Sequence, residues 1–349
     1  MTDLSNELSE MVRTHFEDRS PLRIQGGGSK PFLGRRVDAD PLDVLRHRGI
    51  TSFEPTELVL SARAGTPLVE VEQALAAGGQ MLPFEPPRFG DGGTIGGAVA
   101  TGLSGPRRPY TGSTRDFVLG VRIINGRGEV MRFGGEVMKN VAGYDVSRLM
   151  SGAQGTLGVI LEVSMKVLPL PAVEVTRSLA MDAGSALTWM DQIGNEPYPI
   201  SAMAHADGVL HVRLSGSEAG VTAAAREIGG QPARDNSWWD GLRDHRDEFF
   251  TDDTPLWRIA LPPGTPPLAV EGKTILDWGG TQRWLKSDAD ANEIQQVATS
   301  LGGHALRFRG GTGEPFQPLG DSVRTIHQRL KDAFDPHRIL NPGRLYADL

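Results

Sequence analysis

The residues best placed to do chemistry in this sequence are those with the smallest side chains. Gly26–Gly27–Gly28–Ser29–Lys30 opens the first glycine stretch. Consecutive glycines reach positive φ without strain and turn their N–H groups inward, which makes a nest for phosphate that needs no basic side chain. The second stretch, GDGGTIGGAVATG from Gly90 to Gly102, keeps to small residues for longer than a turn requires. That pattern suits a main chain pressed against a flat or anionic ligand. The third, Gly152–Ala153–Gln154–Gly155–Thr156–Leu157–Gly158, leads straight into the apolar run that begins at Val159. Any one of these stretches reads equally well as a surface turn. The chain nevertheless holds 44 glycines in 349 residues, about twice the ordinary share. Their clustering predicts a dinucleotide held by several separate backbone segments.

Other phosphate motifs fit poorly. The Walker pattern GxxxxGK[ST] does not occur. A Rossmann fingerprint needs GxGxxG between a strand and a long helix. GGTIGG has a different spacing and runs toward Pro106 and Pro109, so no helix is expected after it. The eight histidines, His15, His47, His205, His211, His245, His304, His327 and His337, show no HxH or HxxxH spacing, so no metal site is predicted. His205 and His211 fall on opposite arms of one expected hairpin and could face each other. The competing reading is two ordinary half-buried histidines.

Composition narrows the function further. Hydrophobic residues make up 39% and charged residues 23%, a globular balance. A formal charge of −7 excludes a nucleic-acid binder of the usual basic kind. With no cysteine, disulfides, thiolate metal sites, iron–sulfur ligation and a cysteinyl–flavin bond are all ruled out. The charged N-terminus lacks a signal-peptide apolar core, and no apolar run is long enough to span a bilayer. A cytoplasmic location is expected, with peripheral membrane association through partners left open.

These loops need elements to hold them. An amphipathic helix is predicted over 3–17 and strands at Leu22–Gln25, Gly49–Phe53 and Glu57–Ala64, with a helix at Pro67–Ala77. Phe117–Asn125 and Glu129–Phe133 form a hairpin around Gly126–Gly128, and Val159–Leu168 is a long strand. The prolines of Leu168–Pro171 mark a domain boundary. Beyond them the glycine loops give way to hairpins at Ser201–Ala206 with Val209–Leu214 and Lys273–Trp278 with Gln282–Lys286. Helices are expected at Glu218–Ile228 and Ala289–Leu301. This alternation predicts an antiparallel sheet with helices on one face. A helix over Asp321–Phe334 precedes the terminal DPHRILNPGRLY. Trp238–Trp239 beside Asp240 and Arg243 reads either as a partner interface or as core packing.

The ordered segments GGGSKPFLG, TIGGAVATGLSGPRRPYTGSTRDFVLGV, MKNVAGYDVSRLMSGAQGTLGVILEVSMKVLPLP and FDPHRILNPGR resemble the FAD-linked oxidase family with the vanillyl-alcohol-oxidase (PCMH-type) fold. Within it they resemble the FAD-binding subunits of glycolate oxidase. The resemblance covers the first half and the C-terminal end closely and the middle in length and pattern only. It implies an α+β fold: a two-lobed FAD-binding domain (1–171), an α+β cap with antiparallel sheet serving substrate or interface (172–320), and a C-terminal segment returning to the FAD domain (321–349). It implies non-covalent FAD. Gly26, Gly27, Gly28 and Ser29 would hold the pyrophosphate. Thr94, Gly96, Gly97, Thr101 and Gly102 would line the flavin and its phosphates. Gly112, Arg115 and Asp116 would support the ribityl and adenosine side. Gly155, Thr156, Gly158, Val159 and Ile160 would lie near the adenine, and Asn341 and Arg344 would close over the isoalloxazine or the phosphates. For Arg115, Asp116 and Asn341 the competing readings are an ion pair, a strand brace and a turn. Tyr144 reads as a core residue.

The resemblance also implies a role in glyoxylate metabolism. Glycolate or a similar 2-hydroxy acid would be oxidised to the 2-oxo acid, beside a larger FAD-containing subunit and an iron–sulfur subunit. The chain departs from catalytic relatives, whose motifs resembling EHGxG and HxGDGNxH are absent. Arg258, Arg307, Arg309 and His304 are candidates for the cation and base that such chemistry needs, with no spacing that selects among them. Catalytic residues therefore stay unassigned. A stand-alone FAD-linked hydroxy-acid or alcohol oxidoreductase and a non-catalytic FAD-binding scaffold both remain open as alternatives.

Overall fold

A computed structural model describes residues 3–135 and 145–349. Tyr144 and the preceding residues of its motif lie outside the described residues. The chain divides into two compact units. The first comprises 1–104, 112–170 and 318–349, and the second 105–111 and 171–317.

Among the described residues, the first unit is built on a five-stranded antiparallel sheet ordered Ile50–Glu54, Val59–Arg63, Val159–Lys166, Val118–Ile124, Val130–Gly134. The central strand, VILEVSMK, is buried on both sides, which explains why it reads as a continuous apolar run rather than an alternating one. One side joins the large core with Val71, Leu75, Phe84 and Val99. The other meets Leu8 and Val12 of the helix Ser5–Asp18, together with Leu22, Leu42 and Leu340. Leu8 and Val12 lie four residues apart, so one helical face carries both. Fully burying such a side chain contributes roughly 1.5–3 kcal/mol. Leu22–Gln25 pairs in parallel with Asp40–Asp43, a short strand whose charges and proline hide it from pattern reading.

A helix forms inside the second glycine stretch, where the sequence reading expected none. Ile95–Thr101 is helical. The Thr94 hydroxyl caps it by accepting from the Gly97 N–H at 3.1 Å, and Gly102 ends it at φ 62°. Glycine-rich composition masks this helix; tertiary packing of Ile95, Ala98 and Val99 in the core compensates.

The second unit is an eight-stranded antiparallel sheet ordered Gln231–Pro232, Val173–Ala180, Val209–Gly216, Ile200–Ala206, Lys273–Asp277, Gln282–Lys286, Leu256–Ala260, His304–Arg309. Helices Ala183–Ile193 and Glu218–Ile228 pack on Leu210, Val212 and Leu214. Ala291–Ser300 packs near Trp257, Ile259 and Leu285. Residues 105–111 belong here because their polar groups are satisfied here. Trp278 Nε1 donates to the Gly105 carbonyl at 3.0 Å, and Arg107 pairs with Glu174.

Two expectations in this unit are resolved by register. Ala204 pairs with His211 and His205 with Leu210, so the two histidines lie on opposite faces of the sheet and do not face each other. His205 Nε2 lies 2.8 Å from the Met181 carbonyl, while His211 stacks on Trp238 at 4.0 Å. Trp239 is buried and donates from Nε1 to Thr176 at 2.9 Å. Trp239 is thus committed to packing within its own unit, while Trp238 stays half-exposed beside it.

Candidate functional site

The glycine stretches converge. In the first unit a cavity of about 560 Å³ is bounded by the loop at Gly26–Ser29, by Thr94, Gly96 and Gly97, by Gly155 and Gly158, and by Asn341 and Arg344. That volume is within the usual range for a small-molecule site.

The cradle is defined by missing side chains. A Cβ on Gly27 would sit 1.7 Å from the Gly92 carbonyl oxygen, and one on Gly92 would sit 2.3 Å from the Gly27 oxygen. The two loops interlock through bare backbone. A Cβ on Gly96 would lie 2.5 Å from that of Ala64, and one on Gly155 would lie 2.7 Å from Asn341 Nδ2. The N–H groups of Gly27 and Gly28 donate to no described residue, which leaves them available to an anionic ligand.

The C-terminal segment locks these loops together. Asn341 accepts from the Ile24 N–H at 2.8 Å and donates from Nδ2 to the Gln154 carbonyl at 2.6 Å, joining three distant segments in one side chain. Its φ of 43° is a left-handed conformation that asparagine tolerates better than most residues. Behind it, the buried Lys331 ammonium donates to Asp335 at 2.8 Å, to the Thr156 carbonyl at 2.8 Å and to the Leu340 carbonyl at 2.7 Å. Asp335 in turn accepts the N–H groups of Ile339 and Leu340 at 3.1 and 2.7 Å. Burial lowers the Lys331 pKa and Asp335 opposes that shift.

The electrostatics favour an anion. Among the described residues, four cationic ones, Arg23, Lys30, Arg36 and Arg344, line the cavity against one acidic residue, Asp38. Arg344 donates to Gln154 Oε1 at 3.2 Å and to the carbonyls of Arg35 and Lys30 at 2.9 and 3.4 Å. These acceptors orient its charge without cancelling it. Burial, then the nearby Arg23, lowers its pKa. Backbone donors, excess positive charge and close glycine walls fit the diphosphate and flat rings of a flavin dinucleotide.

Comparison with known proteins gives the same ligand. A family model described as an FAD binding domain matches residues 4–134. The chain is 49% identical over 347 residues to "Glycolate oxidase subunit GlcE" of Escherichia coli (strain K12), covering 99% of both chains. It belongs to the GlcE family of glycolate oxidase subunits. A more distant relative is "Glycolate oxidase subunit GlcD" of Bacillus subtilis (strain 168), 30% identical over 174 residues, which cover 49% of this chain and 37% of that one. Among solved structures, substrate-bound p-cresol methylhydroxylase superposes with a TM-score of 0.76 at 15% identity, covering 99% of this chain and 88% of that one. Alkyldihydroxyacetonephosphate synthase gives 0.69 at 16%, covering 97% and 75%. At such identities the superpositions establish the shared PCMH-type fold and nothing finer.

For this GlcE-family chain the cavity sorts the residues expected from the sequence. Gly26, Gly27, Gly28, Ser29, Thr94, Gly96, Gly97, Thr101, Gly155, Gly158, Ile160, Asn341 and Arg344 line it. The others lie outside that lining. Gly102 ends the helix. Asp116 accepts from the Ser113 N–H and hydroxyl at 2.8 and 2.7 Å, a local capping box, and a Cβ on Gly112 would meet it at 3.3 Å. Arg115 is exposed. Thr156 is buried and donates to the Ala153 carbonyl at 2.8 Å. Val159 faces the small core, because strand alternation sends it to the face opposite Gly158 and Ile160. Sequence reasoning missed Arg23, Lys30, Arg36 and Gln154. Lys30 directly after the glycine run was the available signal. Among the described residues no histidine or tyrosine lines the cavity, and the sequence has no cysteine.

The cation and base candidates separate as well. Arg307 donates to the Thr312 and Gly313 carbonyls. His304 is exposed at the start of its strand. Arg258 is half-buried in the strand Leu256–Ala260.

Proposed function

We propose that this chain is the FAD-carrying subunit of a multi-subunit glycolate oxidase, with glycolate or a similar 2-hydroxy acid as substrate of the assembly. The observation that carries the proposal is the convergence of three glycine segments and Asn341 on one cationic cavity. Its partners in this reading are a larger FAD-containing subunit and an iron–sulfur subunit. The full-length similarity to a GlcE subunit and the partial similarity to a GlcD subunit support that assembly.

Bound FAD supplies two-electron acceptance, so a hydride equivalent and a proton can leave the hydroxy acid as it becomes a 2-oxo acid. The chain's own residues bind and orient. Gly26–Ser29 present N–H groups to the diphosphate. Arg23 and Arg344 balance its charge. Thr94, Gly96 and Gly97 form the wall against the rings, and Asn341 fixes the loops. In this reading the flavin is held non-covalently, which the lack of any cysteine in the sequence and of a described histidine or tyrosine on the wall supports. Since the sequence has no cysteine, cluster thiolates must come from another polypeptide. Among the described residues no group of His, Cys, Asp or Glu could hold a metal ion, and no helix is long and apolar enough to cross a membrane.

The test is a visible absorbance spectrum of the full chain, incubated with FAD and desalted. Stoichiometric flavin that is released on denaturation is expected; a colourless protein would end the proposal. Glycolate or D-lactate added without partner chains should leave the flavin oxidised. Bleaching by the isolated chain would favour a stand-alone oxidoreductase instead.

A further inference from the structure

We infer that Arg258, seated on Trp278, forms a carboxylate-binding site in the second unit. The site stands on that unit alone; its assignment to the hydroxy acid of the oxidation rests on the function proposed above.

Several interior arginines of this unit have acceptors for their terminal nitrogens. Arg107 pairs with Glu174, and Arg177, Arg283 and Arg307 donate to backbone carbonyls. Arg258 makes one hydrogen bond, from Nε to Gln282 Oε1 at 2.5 Å. Its Nη1 and Nη2 donate to no described residue, and the residue as a whole is half-buried. A half-buried guanidinium with a vacant fork is suited to a planar oxyanion, which it can meet with two parallel hydrogen bonds.

The fork is held in place before any ligand arrives. Gln282 donates from Nε2 to Asp277 at 2.9 Å, and Asp277 accepts the Trp278 N–H at 2.7 Å. The Arg258 guanidinium lies 4.9 Å from the Trp278 ring centre. Trp278 is 4% exposed and its indole N–H is tied to the Gly105 carbonyl. The Arg258 side chain is thus fixed at one nitrogen and one face, which lowers the ordering cost of binding. Trp278 also sits at φ 54°, a strained setting for a bulky residue that persists only where its surroundings impose it.

Charge points the same way. A second guanidinium, Arg108, lies 4.2 Å from the same indole ring centre. Burial, followed by the charge of Arg108, lowers the Arg258 pKa to about 10. The acid of the cluster, Asp277, reaches Arg258 through the Gln282 amide rather than by a direct ion pair. The planar fork of Arg258, held against the indole face, suits a planar carboxylate better than a tetrahedral phosphate.

The experiment is calorimetric titration of the FAD-loaded full chain with glycolate, acetate and inorganic phosphate. Wild type should bind both carboxylates, and phosphate more weakly. Arg258→Met should weaken glycolate binding by about tenfold or more, the value of a lost charged hydrogen bond. Arg258→Lys, which keeps the charge but not the fork and preserves the fold if methionine does not, should lose several-fold. Both variants should retain flavin. Wild-type affinity in either folded variant, no carboxylate binding by wild type, or a preference for phosphate would each overturn the site. Failure to take up FAD, with glycolate binding still sensitive to Arg258, would remove the proposed function and leave the site standing.

Discussion

The two units make polar interiors in opposite ways. The first works by omission. Gly27 and Gly92 approach so closely that a methyl on either would overlap the other's carbonyl, and eight of the described residues lining the cavity are glycines. The second works by addition. Arg213, Arg283 and Asp277 are buried within its sheet, each satisfied by named partners. Its hairpin glycine Gly208 has nothing within 4 Å of where a Cβ would stand. A backbone donor has no protonation state to change, whereas a buried side chain does. The glycine cradle of the first unit should therefore be sensitive to added volume, and the buried polar side chains of the second to changed charge.

The largest effect expected from this contrast is at Gly27. Gly27→Val places carbons where the Gly92 carbonyl lies, so the loops must part and FAD binding should be lost. Flavin fluorescence titration should show a loss of more than about a hundredfold, roughly the several-kcal/mol scale of severe overpacking. Gly208→Ala in the second unit meets only the penalty for φ of +77°, about 1 kcal/mol, and should leave FAD affinity unchanged. A Gly27→Val chain that still retains flavin would dissolve the contrast.

Lys331 is the exception that can break the comparison from the other side, because here the first unit relies on a buried ion pair. Lys331→Met leaves Asp335 buried without its cation, and removing one partner of such a pair costs roughly 3–5 kcal/mol. The Thr156 and Leu340 carbonyls lose their donor as well. The midpoint of thermal unfolding should fall, and FAD should be released more readily as the Asn341 junction loosens. An unchanged midpoint would mean that the pair is dispensable and the cradle holds through glycine contacts alone.

Much of this was legible in the sequence, and the gaps have physical causes. Leu22–Gln25, Glu218–Ile228 and Asp321–Phe334 have the bounds their periodicity and flanking residues indicate. Ile95–Thr101 escaped notice because its helicity depends on packing against the sheet, which propensity does not register. Asp40–Asp43 escaped because it forms only by pairing with Leu22–Gln25. The glycine runs announce a cradle since the need for no Cβ is written in the residue type. They do not say which neighbours turn inward: Ile160 does and Val159 does not. The distinction of Arg258 is invisible in sequence for a related reason. It depends on which acceptors the fold brings to its neighbours and fails to bring to its own terminal nitrogens.

The subtlest test is the pH dependence of the second unit. Burial raises the Asp277 pKa from 3.8 to about 6, against hydrogen bonds from Trp278 and Gln282 that favour the carboxylate. The folded chain then holds a proton that the unfolded chain releases. The stability this contributes is complete below the unfolded value and is lost as pH rises through 6, a change of roughly 2–3 kcal/mol. His211 runs the other way. Burial lowers its pKa from 6.5 to about 4, so its contribution is present above 6.5 and is lost as pH falls through 4, with a smaller amplitude because the ring is only half-buried. In the wild type the two slopes oppose each other between pH 4 and 6. Asp277→Asn removes one of them, so denaturant-measured stability should rise with pH more steeply in the variant than in the wild type. FAD affinity over the same interval should stay flat in both, since the cradle's donors are peptide N–H groups; a flavin affinity that follows the Asp277 titration would show that the two units do not keep their chemistries apart.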